Sequence, residues 1–139
     1  MTRLGAVLRH RLSQRGACLL ILATVDVIYA IGLTYVPPAT LATPTYQLYA
    51  ALAPLPVWGS VWAAVGVLCL VQAWTPRDRI AYTAATGLKI FWALLHMGAW
   101  VVGVLPRGYV LAAMWLLAAG LVMVMSTVAK NGGGGRSDR

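Results

Sequence analysis

Long apolar runs separated by short polar or proline-rich breaks organise the 139-residue chain. The runs cover about 17–36, 57–74, 80–104 and 109–129. Each is near the ~20 residues that a helix rising ~1.5 Å per residue needs to cross a ~30 Å hydrocarbon core. The pattern predicts an all-α fold, an integral membrane four-helix transmembrane bundle with a short outer interfacial helix. Residues 1–16 read as a basic cytoplasmic N-terminus, 17–129 as the membrane domain and 130–139 as a disordered, Gly-rich basic tail.

Polar positions inside the runs carry the candidate chemistry. Asp26 and Lys89 are the only formally charged residues within them. Span one begins near Ala17 and span three near Ile80, on the same side, so both residues rise about 13 Å into the membrane at 1.5 Å per residue. Matched depth lets them pair if helices one and three pack together. An ionised Asp or Lys at mid-helix costs roughly 2.5–3.5 kcal/mol to insert, so something must offset it. Tyr82, Thr86, Lys89, Trp92, His96 and Trp100 follow at three- and four-residue steps, which puts them on one stripe of span three, turned inward toward the bundle or a neighbouring subunit. There Lys89 and His96 could share Asp26, water and indole N–H groups. Asp26, Lys89 and His96 form the candidate intramembrane polar group, either a structural pair fixing helix register or a proton or ion pathway. Haem ligation through His96 is discounted, because the other histidine, His10, lies in the basic N-terminus.

Composition agrees with a lipid-solvated chain: 60% of residues are apolar, 10% are charged and the mean hydropathy is +0.77. Positive charge sets the orientation. Arg3, Arg9, Arg11, Arg15, Arg77, Arg79, Lys130, Arg136 and Arg139 fall on one side and Arg107 alone on the other, which predicts cytoplasmic termini in the cytoplasmic membrane. The net charge of +8 is therefore a topology signal and an attraction to anionic lipid, not a nucleic-acid footprint. A cleaved signal peptide is the rival reading of the first run, but the run is long for one and carries Asp26 near its middle. Cys18 and Cys69 fall toward the cytoplasmic ends of their spans, without a CxxC spacing, so neither a disulfide nor a metal site is expected.

The neutral loop from 37 to 56 holds Pro37, Pro38, Pro44, Pro54 and Pro56. Thr43 before Pro44 has the form of an N-cap with proline at the first helical position, and Pro54 would stop that helix. Tyr46 and Tyr49, with Tyr35 and Trp58, would then form an aromatic belt at headgroup level; the alternative is a partner-binding or membrane-disturbing element. Trp58, Trp62, Trp92 and Trp100 are the candidate packing or interface aromatics. Gly59, Ala63, Gly98 and Gly120 suggest close helix approach.

Trp58-Gly59 with Trp62, Asp78-Arg79-Ile80-Ala81, Leu88-Lys89 with Trp92, and Pro106-Arg107-Gly108-Tyr109 with Trp115 resemble the small four-span membrane proteins encoded by phages of actinobacteria. The resemblance covers about 57–120 and none of the first span or the Pro-rich loop. It implies a holin-like protein that oligomerises and permeabilises the cytoplasmic membrane. The alternative is a small transporter, or an accessory or structural subunit of a membrane complex, using the Asp-Lys-His group. The partners expected are the lipid bilayer, anionic lipids included, and further copies or subunits. No nucleophile with a base is apparent, so no enzyme activity and no cofactor is expected.

Overall fold

A computed structural model describes residues 14–75 and 78–131. Most of the basic N-terminus, Arg77 and the Gly-rich tail lie outside the described residues. Helices are α1 (Gln14–Thr34), α2 (Pro38–Leu41), α3 (Pro44–Leu52), α4 (Leu55–Gln72), α5 (Arg79–Val101) and α6 (Gly108–Asn131), and no strand occurs among the described residues. Four of them, α1, α4, α5 and α6, are long and apolar enough to cross a membrane.

The breaks in the sequence set the helix ends. Pro54 is the N-cap of α4 and Pro56 falls in its first turn, where a missing N–H leaves no hydrogen bond unmade. The helix therefore starts at Leu55, two residues before the start of the apolar run. At the far end of α5, Gly103 adopts φ +78, a left-handed conformation that a glycine takes without steric penalty. Its N–H donates to the Trp100 carbonyl at 3.0 Å and the Val104 N–H to the Ala99 carbonyl at 2.9 Å. This Schellman closure stops α5 at Val101 although the apolar run continues to 104.

The bundle is two helical hairpins. α1 packs most extensively on α4, and α5 on α6, with lesser contacts between the pairs. Small residues bring the members of each hairpin together. A Cβ on Gly59 would meet Thr34 Oγ1 at 2.6 Å and the Ala30 carbonyl at 3.1 Å; one on Gly66 would meet Val27 Cγ2 at 3.0 Å and the Ala23 carbonyl at 3.2 Å. In the second hairpin a Cβ on Gly108 would collide with the His96 carbonyl and lie 2.9 Å from Trp100 Cβ. Gly98 and Gly120, expected at such contacts, have open space where a Cβ would go; Gly66 and Gly108 are the close-approach positions instead.

Two clusters of buried side chains stack along the bundle. One joins Leu19, Leu22 and Ala23 to Cys69, Ala73, Ala81, Tyr82, Ala85 and Val122, at the end away from α2 and α3. The other joins Ala30 and Leu33 to Tyr49, Trp62, Leu88 and Trp92 beneath α3. Successive long helices thus run up and down, and α2 and α3 cap one end. Gln72 fastens the other: its Oε1 accepts from the Ala81 N–H at 3.0 Å, satisfying a donor that the first turn of α5 leaves free.

Candidate functional site

The polar residues that the sequence places in the membrane segregate into linked groups along the bundle interior. Asp26 on α1 and Lys89 on α5 meet between the two core clusters, with Lys89 Nζ donating to Asp26 Oδ1 at 2.8 Å. Both are buried, at 0% and 2% exposure. Beside the pair, Gly66 lets α1 approach α4 closely; a Cβ there would stand 3.4 Å from Asp26 Cβ. Lys89 Nζ also lies 5.3 Å from the centre of the Trp62 ring, an attractive position for an ammonium over an indole face. Asp26 Oδ2 and the Trp62 indole nitrogen are buried without a hydrogen-bond partner.

One turn nearer the capped end, α1 presents Tyr29 and α5 presents Trp92. The Trp92 indole N–H donates to the Tyr29 hydroxyl at 3.0 Å. Tyr29 packs at 4.4 Å between ring centroids on Trp62 and edge-on at 5.3 Å on Trp115. Its phenol also interacts, side chain to side chain, with that of Tyr49.

His96 belongs to this outer group and not to the ion pair. It sits two turns along α5 from Lys89, and its ring nitrogens are taken by the Tyr49 hydroxyl at 2.7 Å and the Trp92 carbonyl at 2.6 Å. A carbonyl can only accept, so Nδ1 carries the proton toward Trp92 and the neutral ring accepts at Nε2 from the Tyr49 O–H. The expectation that His96 shares Asp26 is corrected by this geometry: the sequence spacing gave a common face but not the distance along it.

Tyr49 is the functional residue whose placement departs furthest from the interfacial belt. It is buried, 2% exposed, because α3 turns it down onto the bundle, and the Trp58 indole N–H holds its carbonyl at 3.0 Å. Burial pushes its phenol well above the usual tyrosine value. Trp62 and Trp92 are fully buried and Trp58 is partly so, packing on Phe91 and Trp92. Trp100 is 44% exposed and stacks on Tyr109, so it leaves the inward stripe. It lies slightly more than one turn beyond His96, near the Schellman closure and against Gly108. Tyr49 and Tyr29 were the site residues missed; Tyr29 could have been found one turn from Asp26, on the face that Asp26 already marks.

Comparisons with family models, curated proteins and solved structures return no match for the chain. The class that the fold defines is an all-helical protein with four helices of membrane-spanning length and apolarity, and a polar interior. Chemically, that interior can hold a charge pair and can pass hydrogen bonds between a hydroxyl pair and an imidazole.

Proposed function

We propose that the chain is a four-span integral protein of the cytoplasmic membrane, with both termini cytoplasmic, acting as a small transport or accessory subunit through its buried polar groups. The observation that carries this reading is the series of buried polar groups in the interior. From Asp26 and Lys89 it continues through Tyr29 and Trp92 to Tyr49 and His96 at the capped end. Charged residues within a membrane that face a bundle interior commonly mark a path for protons or ions. The distribution of Lys and Arg supports an outward-facing cap. The bilayer is the principal partner, and the subunit works as a homo-oligomer or within a membrane complex.

A holin-like role is the second reading. It draws on the resemblance over 57–120 and on the apolar outer faces of α4 and α6, where Val61, Val67, Met114, Leu117 and Leu121 are exposed to lipid or to further copies. Here a lesion would need helices to part, because Asp26 and Lys89 are already paired within one chain.

Induced expression of the wild type, Asp26→Asn, Lys89→Met and the double variant in a bacterial host tests the two readings, with membrane potential followed by dye and protein level measured in the membrane. The transport or accessory reading expects potential and viability to persist at good wild-type expression. Rapid collapse of potential by the wild type would refute it in favour of a lesion.

A further inference from the structure

The Asp26 carboxylate is only half used. Oδ1 accepts from Lys89 at 2.8 Å, but Oδ2 is buried with no hydrogen-bond partner. A buried carboxylate oxygen without a hydrogen-bond partner is a costly arrangement. Gly66 on α4 backs onto Asp26 Cβ, and a Cβ added to it would stand 3.4 Å away. A proton is the one cargo that requires no cavity.

We propose that Asp26 Oδ2 is a proton-binding site. This rests on the transport or accessory reading and names the species that its buried group handles. The step is an acid–base exchange: hydronium gives its proton to Oδ2, an O–H bond forms on the carboxylate, the O–H bond to the donor breaks and water leaves. Oδ1 still accepts from Lys89 afterwards, and the pair gains one positive charge, carried by an ammonium that lies over the Trp62 ring.

The groups facing the site are few. α5 contributes Lys89, α4 the Cys69 thiol and Trp62, and α1 Tyr29 one turn away. From α6 the neighbour is Trp115, which packs on Tyr29 and Trp62 and does not titrate. α3 contributes Tyr49, through Tyr29. On the capped side, the Tyr29 and Tyr49 hydroxyls and the His96 imidazole can each accept and release a proton. The cluster on the opposite side holds Leu19, Leu22 and Val122 together with the Cys69 thiol and the buried Tyr82 phenol, which can exchange protons as well.

Infrared difference spectroscopy on the full chain in vesicles reads this directly, because the sequence has only three acidic side chains, Asp26, Asp78 and Asp138. As pH falls, the carbonyl stretch of a protonated buried carboxyl is expected to appear, to be lost in Asp26→Asn and to persist in Asp78→Asn. In Lys89→Met, which removes the competing cation, the band is expected to persist to higher pH than in the wild type. The proposal is overturned if helical wild type gives no such band at any pH, if the band survives in Asp26→Asn, or if the Lys89→Met midpoint does not rise. Dye measurements of potential are independent of this readout. A band in protein that collapses the potential sinks the transport reading alone, and intact potential without a band sinks the proton site alone.

Discussion

Replacing Lys89 by Met leaves a buried carboxylate opposite an apolar side chain, and the expected loss of stability can be worked from the pair's geometry. At 2.8 Å and an effective dielectric constant of ~20, the attraction is about 6 kcal/mol. Removing each ion from water opposes this by several kcal/mol, so the intact pair is close to neutral against a well-packed apolar pair. Removing one partner forfeits the attraction and keeps the other's desolvation, typically ~3–5 kcal/mol. Asp26 has an escape: it can take up a proton. At pH 7, protonating a carboxyl of ordinary value ~3.9 costs about 1.4 kcal/mol per unit, or ~4 kcal/mol, which caps the charge penalty in the variant. At pH 5 the cap is ~1.5 kcal/mol. The folded variant then holds a proton that the unfolded chain releases, so its stability rises as pH falls. Unfolding of the purified protein in mixed micelles, followed by circular dichroism at both pH values, measures this. Lys89→Met should lose up to ~4 kcal/mol at pH 7 and recover ~2–3 of it at pH 5. The double variant Asp26→Leu with Lys89→Met should be near wild type or more stable, by as much as ~1–4 kcal/mol. A loss that ignores pH, or a double variant as unstable as the two single changes summed, would refute a buried, mutually compensated pair.

Two further outcomes rest on other parts of the bundle. Gly66→Ala gains ~1 kcal/mol of helix propensity but crowds Val27 and the Ala23 carbonyl, an overpacking of ~1–3 kcal/mol, so the net should be neutral to destabilising. Gly108→Ala, against backbone, should be worse, whereas Gly98→Ala and Gly120→Ala should stabilise by up to ~1 kcal/mol; equal thermal shifts for all four would contradict the assigned contacts. Tyr49, whose buried phenol is pushed above its usual value of 10.0, contributes stability that is complete below that pH and is lost as pH rises toward the folded value. Alkaline unfolding should therefore begin above about pH 10, and Tyr49→Phe should remove part of this dependence.

Hydropathy alone gives the four long helices, because lipid-length apolar runs have few other solutions. Depth matching gives Asp26 with Lys89, since both positions are measured from helix starts on the same side. Less was legible where a residue's role depends on a neighbour far away in the chain. Tyr49 reads as an interfacial anchor until α3 is known to fold back and deliver it to His96, 47 residues later. Glycine is ambiguous for the same reason: Gly66 and Gly120 have similar apolar surroundings in sequence, but only Gly66 lies against another helix. The bounds of α5 depend on one residue, Gly103, whose left-handed conformation ends the helix inside an unbroken apolar run.

The two kinds of contact divide the molecule in a way that bears on how it could work. Within each hairpin, glycine and alanine bring backbones together and fix the helices closely. Between hairpins, the links are directional: Asp26 to Lys89, Tyr29 to Trp92 and Gln72 to Ala81 cross from the first to the second, and Tyr49 on the α3 cap bonds to His96 on the second. Hydrogen bonds and ion pairs respond to the arrival of a proton, whereas close backbone packing does not. A change of charge at Asp26 therefore acts at the seam between rigid units, and the Tyr49–His96 contact at the capped end shares that seam. If the charge state of the pair moves anything, geometry makes it one hairpin against the other.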